Sequence, residues 1–312
     1  MLIALLGLTG ALVYGAADFF GGLSAKRISA VLTTAVTAAA GLAVLLITLP
    51  WLGGVWSASA IGWGALSGVT GAVAISLLYA CLAIGPMSIL SPLTAVVSAI
   101  VPMTVGLLRG EAFSPIGYWA LGLALLAVVL VGFVPEQGAV RPSLRGILMA
   151  IGSGVAIGTF MILIDLTPED SGIVPLLFNR AVNAAIMFAV VLLLWRIGAR
   201  RARGASAGTG PEDAASAAGP VEFTKRALRP AATTVRTGLL LAVAAGAVDA
   251  GANVFMLIGL RLGELSVMSV LVAMYPAGTI LLAALVLKER IAPVQWVGLA
   301  LAVTAAGMLA LA

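Results

Sequence analysis

The chain has 312 residues, 62% of them hydrophobic and 9% charged, and a mean hydropathy of +1.18. One or two soluble domains of this length need far less apolar residue for their cores, so water is not the chain's principal solvent. The net charge of +5 comes from basic residues set between apolar runs and not from a stripe interleaved with aromatics, which argues against a nucleic-acid partner; one cysteine, Cys81, and no histidine exclude an intrachain disulfide and a Cys/His metal site.

The first apolar run, residues 2–23, has no basic flank and contains Asp18, so it reads as a permanent span and not as a cleaved signal peptide. Runs near 30–50, 60–84, 87–108 and 115–134 complete a first group of five. A second group falls near 145–165, 172–195, 237–260, 265–287 and 294–311. About 20 residues at about 1.5 Å rise match a hydrocarbon core of about 30 Å. The runs are continuously apolar and do not alternate, which favours helices over a barrel, and a helix satisfies its own backbone in lipid. Residues 197–236, rich in Ala, Gly, Arg and Pro, hold no stretch long enough to span; they read as a flexible basic linker, with a short surface helix around Val221 to Leu228.

Of seventeen Lys and Arg, fourteen lie on alternate connections, at Lys26 and Arg27, Arg141 and Arg145, Arg196 to Arg236, and Lys288 and Arg290. Arg109 and Arg261 lie on the opposite set. By the positive-inside rule the first set is cytoplasmic and both termini are extracytoplasmic.

Shifting the chain by 178 positions pairs Gly85 with Gly263, Ser88 with Ser266, Ser91 with Ser269, Glu111 with Glu289 and Pro115 with Pro293. The matches fall at corresponding loops, GEAFSP and KERIAP, where Pro opens the next helix. Residues 1–136 and 145–312 are therefore expected to be two copies of one unit. Five spans per copy is an odd number, so the second copy crosses in the opposite sense. The expected fold is all-α and integral to the membrane, ten transmembrane helices forming two inverted five-helix repeats around a central cavity, an arrangement suited to alternating access.

The stretch YPAGTILLAALVLKERIAPVQWVGLAL at residues 275–301, together with YGAADFFGGLSAKR at residues 14–27, resembles the drug/metabolite transporter superfamily, specifically proteins with two EamA domains. Lys288 stands where Gly is usual before Glu289, and the first half has GEAF where GERL is common. The resemblance implies a ten-helix basket with a central cavity that exports or exchanges metabolites, amino acids or drugs. It also implies cytoplasmic termini, opposite to the charge count.

Each charged side chain at the bilayer centre costs at least about 2.5 kcal/mol on insertion scales and should face a cavity or a partner. Asp249 lies deepest, with Asn253 on the same helix face at i+4, and is either a site for a coupling proton or a substrate amine or a buried carboxylate bonded to a neighbouring helix. Arg180, with Asn179 and Asn183 close by, is suited either to a substrate carboxylate or phosphate or to neutralising a carboxylate within the bundle. Asp18 shares a stripe with Tyr14 and Gly10 and either lines the same cavity or snorkels to the interface. Pro92, Pro102 and Pro276 mark bends in the fourth and ninth spans, the candidate gates. Gly7, Gly10 and Gly15 suit close helix contacts, and the six Trp fall near span ends as an interfacial belt.

The leading function is a secondary active transporter, an exporter of small metabolites, amino acids or drugs coupled to an ion gradient, since no GxxxxGK[ST] loop is present to bind ATP. The alternatives are an integral membrane enzyme on a lipid-linked substrate, which lacks clustered acids, bases or metal ligands here, and a channel or scaffold. The partners expected are a small-molecule substrate and the lipid bilayer of the cytoplasmic membrane. No cofactor and no metal are called for, and the chain is expected as a monomer or homodimer.

Overall fold

The computed structural model describes residues 1–84, 87–132, 142–207, 232–288 and 291–311. Among the described residues the chain is all-helical: α1 (Leu2–Ala25), α2 (Ala30–Leu52), α3 (Ala58–Ile84), α4 (Met87–Leu108), α5 (Pro115–Gly132), α6 (Leu144–Asp165), α7 (Val174–Ala207), α8 (Ala232–Leu262), α9 (Leu265–Val272), α10 (Tyr275–Val286) and α11 (Pro293–Leu311). A single 3-10 turn, Glu169–Ser171, precedes α7. Helix starts follow local chemistry. The hydroxyls of Ser29, Ser57, Ser114 and Ser143 accept from the N–H of Leu32, Ala60, Gly117 and Gly146, and Pro115 and Pro293 occupy first helical positions, where no N–H is missed.

Nine spans among the described residues are long and apolar enough to cross a membrane, α9 and α10 counting together as one, and α4 adds a shorter apolar helix over Pro92–Leu108. The outer surface carries large apolar side chains such as Ile47, Leu108, Leu193, Leu285 and Val303, while the interior is filled largely by alanine and other small residues. That inversion of a soluble protein's pattern makes this a multi-pass membrane protein. All six tryptophans are exposed, as an interfacial belt requires. Small residues let the helices approach. A Cβ on Gly15 would lie 2.6 Å from Gly278 Cα, so α1 and α10 cross there in backbone contact.

The halves are interlocked. The contact α1 on α8 has a counterpart in α3 on α6, α3 on α7 in α2 on α8, and α4 on α6 in α1 on α9 and α10. The pairs α2 with α7, α4 with α9 and α5 with α11 are their own counterparts. One apolar core joins Leu45 of α2 to Leu176, Met256 and Leu265, and another joins Ala11, Ala95 and Val128 to Val270 and Ala305, so both draw on helices from each half.

The connections sort to two ends. At one end Val55 N–H donates to Asp170 O at 2.9 Å, Ile173 N–H to Gly53 O at 3.2 Å, and Arg109 pairs with Asp165 at 2.7 Å. Arg261 donates to Thr167 O at 2.6 Å at the same end. Lys26, Arg27, Arg145 and Lys288 belong to the connections of the other end.

The linker bounds need correction, and the prolines expected to mark bends differ from one another. The flexible linker was expected over 197–236, but α7 runs on to Ala207 and α8 begins at Ala232. The α7 extension is rich in Ala and Arg, strong helix formers that continue a helix beyond the apolar run. Residues 208–231, including the expected surface helix, lie outside the described residues. The ninth span is not one helix; it breaks at Ala273 and Met274 into α9 and α10. Pro276 has no N–H to give Val272 O, and its ring crowds that carbonyl, so the ladder stops and Pro276 becomes the second residue of a new helix. Pro92 and Pro102, by contrast, leave α4 continuous. They pack at Gly132 of α5 and Gly158 of α6, where a Cβ would come within 2.9 and 2.8 Å of their rings.

Candidate functional site

A cavity of about 190 Å³ lies within the bundle, bounded by α1, α3, α4, α6, α7, α8, α9 and α10. All six residues singled out as candidate ligands, Tyr14, Asp18, Arg180, Asn183, Asp249 and Asn253, line it. They come from three helices and span positions 14 to 253; α1 packs on α8, and α2, which packs on both α7 and α8, brings Arg180 within reach of Asp249.

Arg180 is buried and forms an ion pair with Asp249, α7 to α8. Its stem passes Gly41 of α2, where a Cβ would already be in van der Waals contact with the arginine Cδ at 3.6 Å. Asn253 donates to the backbone carbonyl of Asp249 at 2.7 Å, one turn back on α8. Asn179 donates to Ser67 Oγ at 2.9 Å and ties α7 to α3. Tyr14 donates to Met256 Sδ at 3.5 Å.

The unsatisfied groups are the informative ones. The side-chain oxygens of Asn183 and Asn253 are buried with no hydrogen-bond partner among the described residues. Asp18 lines the same cavity, its side chain is exposed, and it has neither an ion pair nor a hydrogen bond among them. Three acceptors thus face one space without a donor. The two buried amide oxygens are costly unless something donates to them, so the cavity is chemically suited to a ligand or water rich in N–H or O–H.

Apolar walls complete the cavity: Ile75 and Leu78 from α3, Ile157, Phe160 and Met161 from α6, and Met256 from α8. Tyr275, first residue of α10, and Ser98 and Ser269 also line it. The sequence reading did not assign Tyr275 to the site. Its place beside Pro276 was the available signal, because a proline break inside a span exposes backbone that must line a cavity. The gating candidates divide: the turn made by Pro276 borders the cavity, whereas Pro92 and Pro102 sit at helix crossings outside it. No cluster of three or more Cys, Asp or Glu able to hold a metal occurs among the described residues.

A smaller chamber of about 90 Å³ adjoins the cavity and shares Asp18, Arg180, Asn183 and Asp249 with it. Thr33, Thr34, Thr37 and Ala38 of α2, with Ala17 and Gly21 of α1 and Ala245 of α8, add to its wall, toward the end that carries Lys26 and Arg27.

Comparison with known proteins agrees with this architecture. The sequence profile of the EamA-like transporter family matches residues 214–311, so an EamA-like transporter domain is found over that stretch. The first half is not covered by that match. No curated protein sequence matches the chain. A solved chain described only as "Crystal structure of protein" superposes with a TM-score of 0.69 at 16% identity, covering 99% of this chain and 96% of its own, which is a likeness of fold.

Proposed function

We propose that this chain, with its EamA-like transporter domain over residues 214–311, is a secondary active carrier that exports a small amine-bearing metabolite by alternating access. The observation that carries the reading is the unpartnered Asp18 carboxylate, which faces the central cavity together with the donor-less side-chain oxygens of Asn183 and Asn253. An ammonium group supplies three donors and one positive charge, which matches two amide oxygens and one carboxylate. Arg180 holds Asp249 in an ion pair, so Asp18 is the carboxylate left for substrate or proton. Phe160, Met161 and Met256 offer the substrate's apolar part a greasy wall.

The exchange relation between helix contacts supports two inverted repeats, residues 1–136 and 145–312, as the device that lets one site face either side. The α9–α10 break, bordering the cavity, is the natural hinge for the second repeat, since a turn absorbs a change in φ and ψ more readily than a helix does.

Purified protein in liposomes with an imposed pH gradient tests the reading against a panel of amino acids and other amines. Saturable uptake with counterflow, lost in Asp18→Asn, is the expected result. Flux that does not saturate, or chemical conversion of the solute, would replace the carrier with a channel or an enzyme.

A further inference from the structure

The central cavity and the threonine-lined chamber differ in size and in chemistry although they share Asp18. The chamber is about half as large, about 90 against 190 Å³, and its wall from α2 is made of hydroxyls and Ala38; Thr34 donates to Ala30 O at 3.0 Å and Thr37 to Ala242 O at 3.3 Å, so each offers the chamber its lone pairs and must rotate to pass a proton. Its end toward Lys26 and Arg27 is closed by a hydrogen-bonded seam. Ser24 donates to Gly238 O at 2.8 Å, and the Ser24 and Thr33 hydroxyls lie 3.0 Å apart. Since the Ser24 proton is committed to Gly238, Thr33 is the donor between the two hydroxyls. Ser24 and Thr33 are both buried, and Arg27 and Ile28 pack over Gly238, where a Cβ would fall 3.1 and 2.8 Å from them. A solute cannot pass this seam without parting α1, α2 and α8, but a proton needs only hydroxyls that rotate and room for water.

We propose that the Thr33, Thr34 and Thr37 chamber is a water-holding branch that delivers protons to Asp18 from the basic end of the bundle, on a route separate from that of the transported solute. The inference rests on the carrier reading for its purpose, though not for its geometry. The charged and titratable groups around Asp18 are Arg180 on α7, Asp249 on α8, Tyr275 on α10 and Tyr14 on its own helix; α2 and α3 present only threonine and apolar side chains to it. Arg180 and Asp249 hold each other, which leaves Asp18 as the terminal acceptor of the branch. The basic end supplies no competing carboxylate on the α1–α2 connection, whose residues are Lys26, Arg27, Ile28 and Ser29.

The test follows protonation of Asp18 in the full-length protein in liposomes, by a pH jump with infrared detection of the carboxyl band that is missing in Asp18→Asn. Thr33→Val, which removes a relay hydroxyl, should slow protonation by about fivefold, the rate equivalent of one lost hydrogen bond. Ala38→Leu, which fills the chamber, should slow it further. Ile157→Phe, which narrows the central cavity, should not slow it. Protonation at the wild-type rate in both chamber variants, or slowing confined to Ile157→Phe, would overturn the proposal and send protons through the central cavity. Should Thr33→Val misfold, Ala38→Leu gives the same reading alone, and circular dichroism reports folding for each. Proton delivery is read without any solute, so a failed uptake assay would count against the carrier reading and leave this result standing.

Discussion

Glu111, in the connection after α4, accepts a hydrogen bond from the backbone N–H of Ser266 at 3.0 Å and a second from Leu265 at 2.9 Å. A carboxylate from the first half thereby caps the first turn of α9 in the second half, where the free N–H groups and the helix dipole favour negative charge. Ser266 adds a bond from its hydroxyl to Met103 O at 3.0 Å, and Ser269 one to Ala99 O at 3.3 Å, so α9 is fastened along α4. Glu111→Ala leaves two buried donors without a partner and should lower stability by about 2 kcal/mol. Thermal unfolding in detergent checks this, and Glu111→Gln, which keeps one acceptor, should fall between. A melting point unchanged by Glu111→Ala would mean that the cap contributes nothing.

The Arg180–Asp249 pair leads to a different prediction. Removing one member of a buried pair typically costs about 3 to 5 kcal/mol because the other is left uncompensated, whereas removing both is much milder. In Asp249→Asn, however, Arg180 still shares both chambers with Asp18 and can turn to it. The expected outcome is a protein that folds but has lost pH-driven uptake, because its remaining carboxylate is neutralised by arginine. The double variant Arg180→Gln with Asp249→Asn should regain part of that uptake. A double variant no more active than Asp249→Asn would assign Asp249 a direct role that Arg180 does not explain.

Much of the fold is legible in the sequence because lipid imposes a simple rule: about 20 apolar residues per crossing, with polar punctuation between them. The runs at 30–50, 87–108 and 145–165 coincide with helices to within a residue or two at each end. The rule is silent where helix and membrane part company. Residues 197–207 are too polar to sit in lipid yet helical by propensity, and Pro276 ends a helix in mid-span where Pro92 and Pro102 do not. The difference lies in partners. Pro92 and Pro102 each meet a glycine on a neighbouring helix, which no local pattern announces.

Within the site, the presence of Asp18, Arg180 and Asp249 follows from the cost of charge in lipid, but which of the two carboxylates Arg180 takes does not. Sequence depth ranks Asp249 above Asp18 as the free carboxylate. The Arg180–Asp249 ion pair leaves Asp18 as the carboxylate without a charge partner among the described residues.

Glu264 gives a pH dependence outside the spans. It sits between α8 and α9, and burial, followed by the nearby Glu111 carboxylate, pushes its pKa above the usual glutamate value. A folded pKa above the unfolded one means that the native state binds more protons in that window, so this group's stabilising contribution is full at low pH and is lost as pH rises through the raised value. Glu264→Gln should therefore raise the melting point at neutral pH and flatten its fall between acid and neutral pH. Parallel melting curves for the wild type and Glu264→Gln across that range would remove Glu264 as the cause.

The charges at the two ends predict the orientation. The end that gathers Asp170, Glu169, Glu264 and Glu111 carries Arg109 and Arg261 as its cations, whereas the opposite end carries Lys26, Arg27, Arg145 and Lys288 among the described residues. Short basic connections are retained in the cytoplasm, so the acidic end should lie outside, and with it the start of α1 and the end of α11. A reporter active only outside the cytoplasm, fused after Ala312, should therefore be active, and one fused into the 26–29 connection should not. The second fusion decides the matter, because it interrogates a four-residue loop on which the charge rule acts strongly, without the long 208–231 segment that weakens it. Activity at 26–29 and silence after Ala312 would invert the molecule, and the proton branch ending at Lys26 and Arg27 would then open to the exterior.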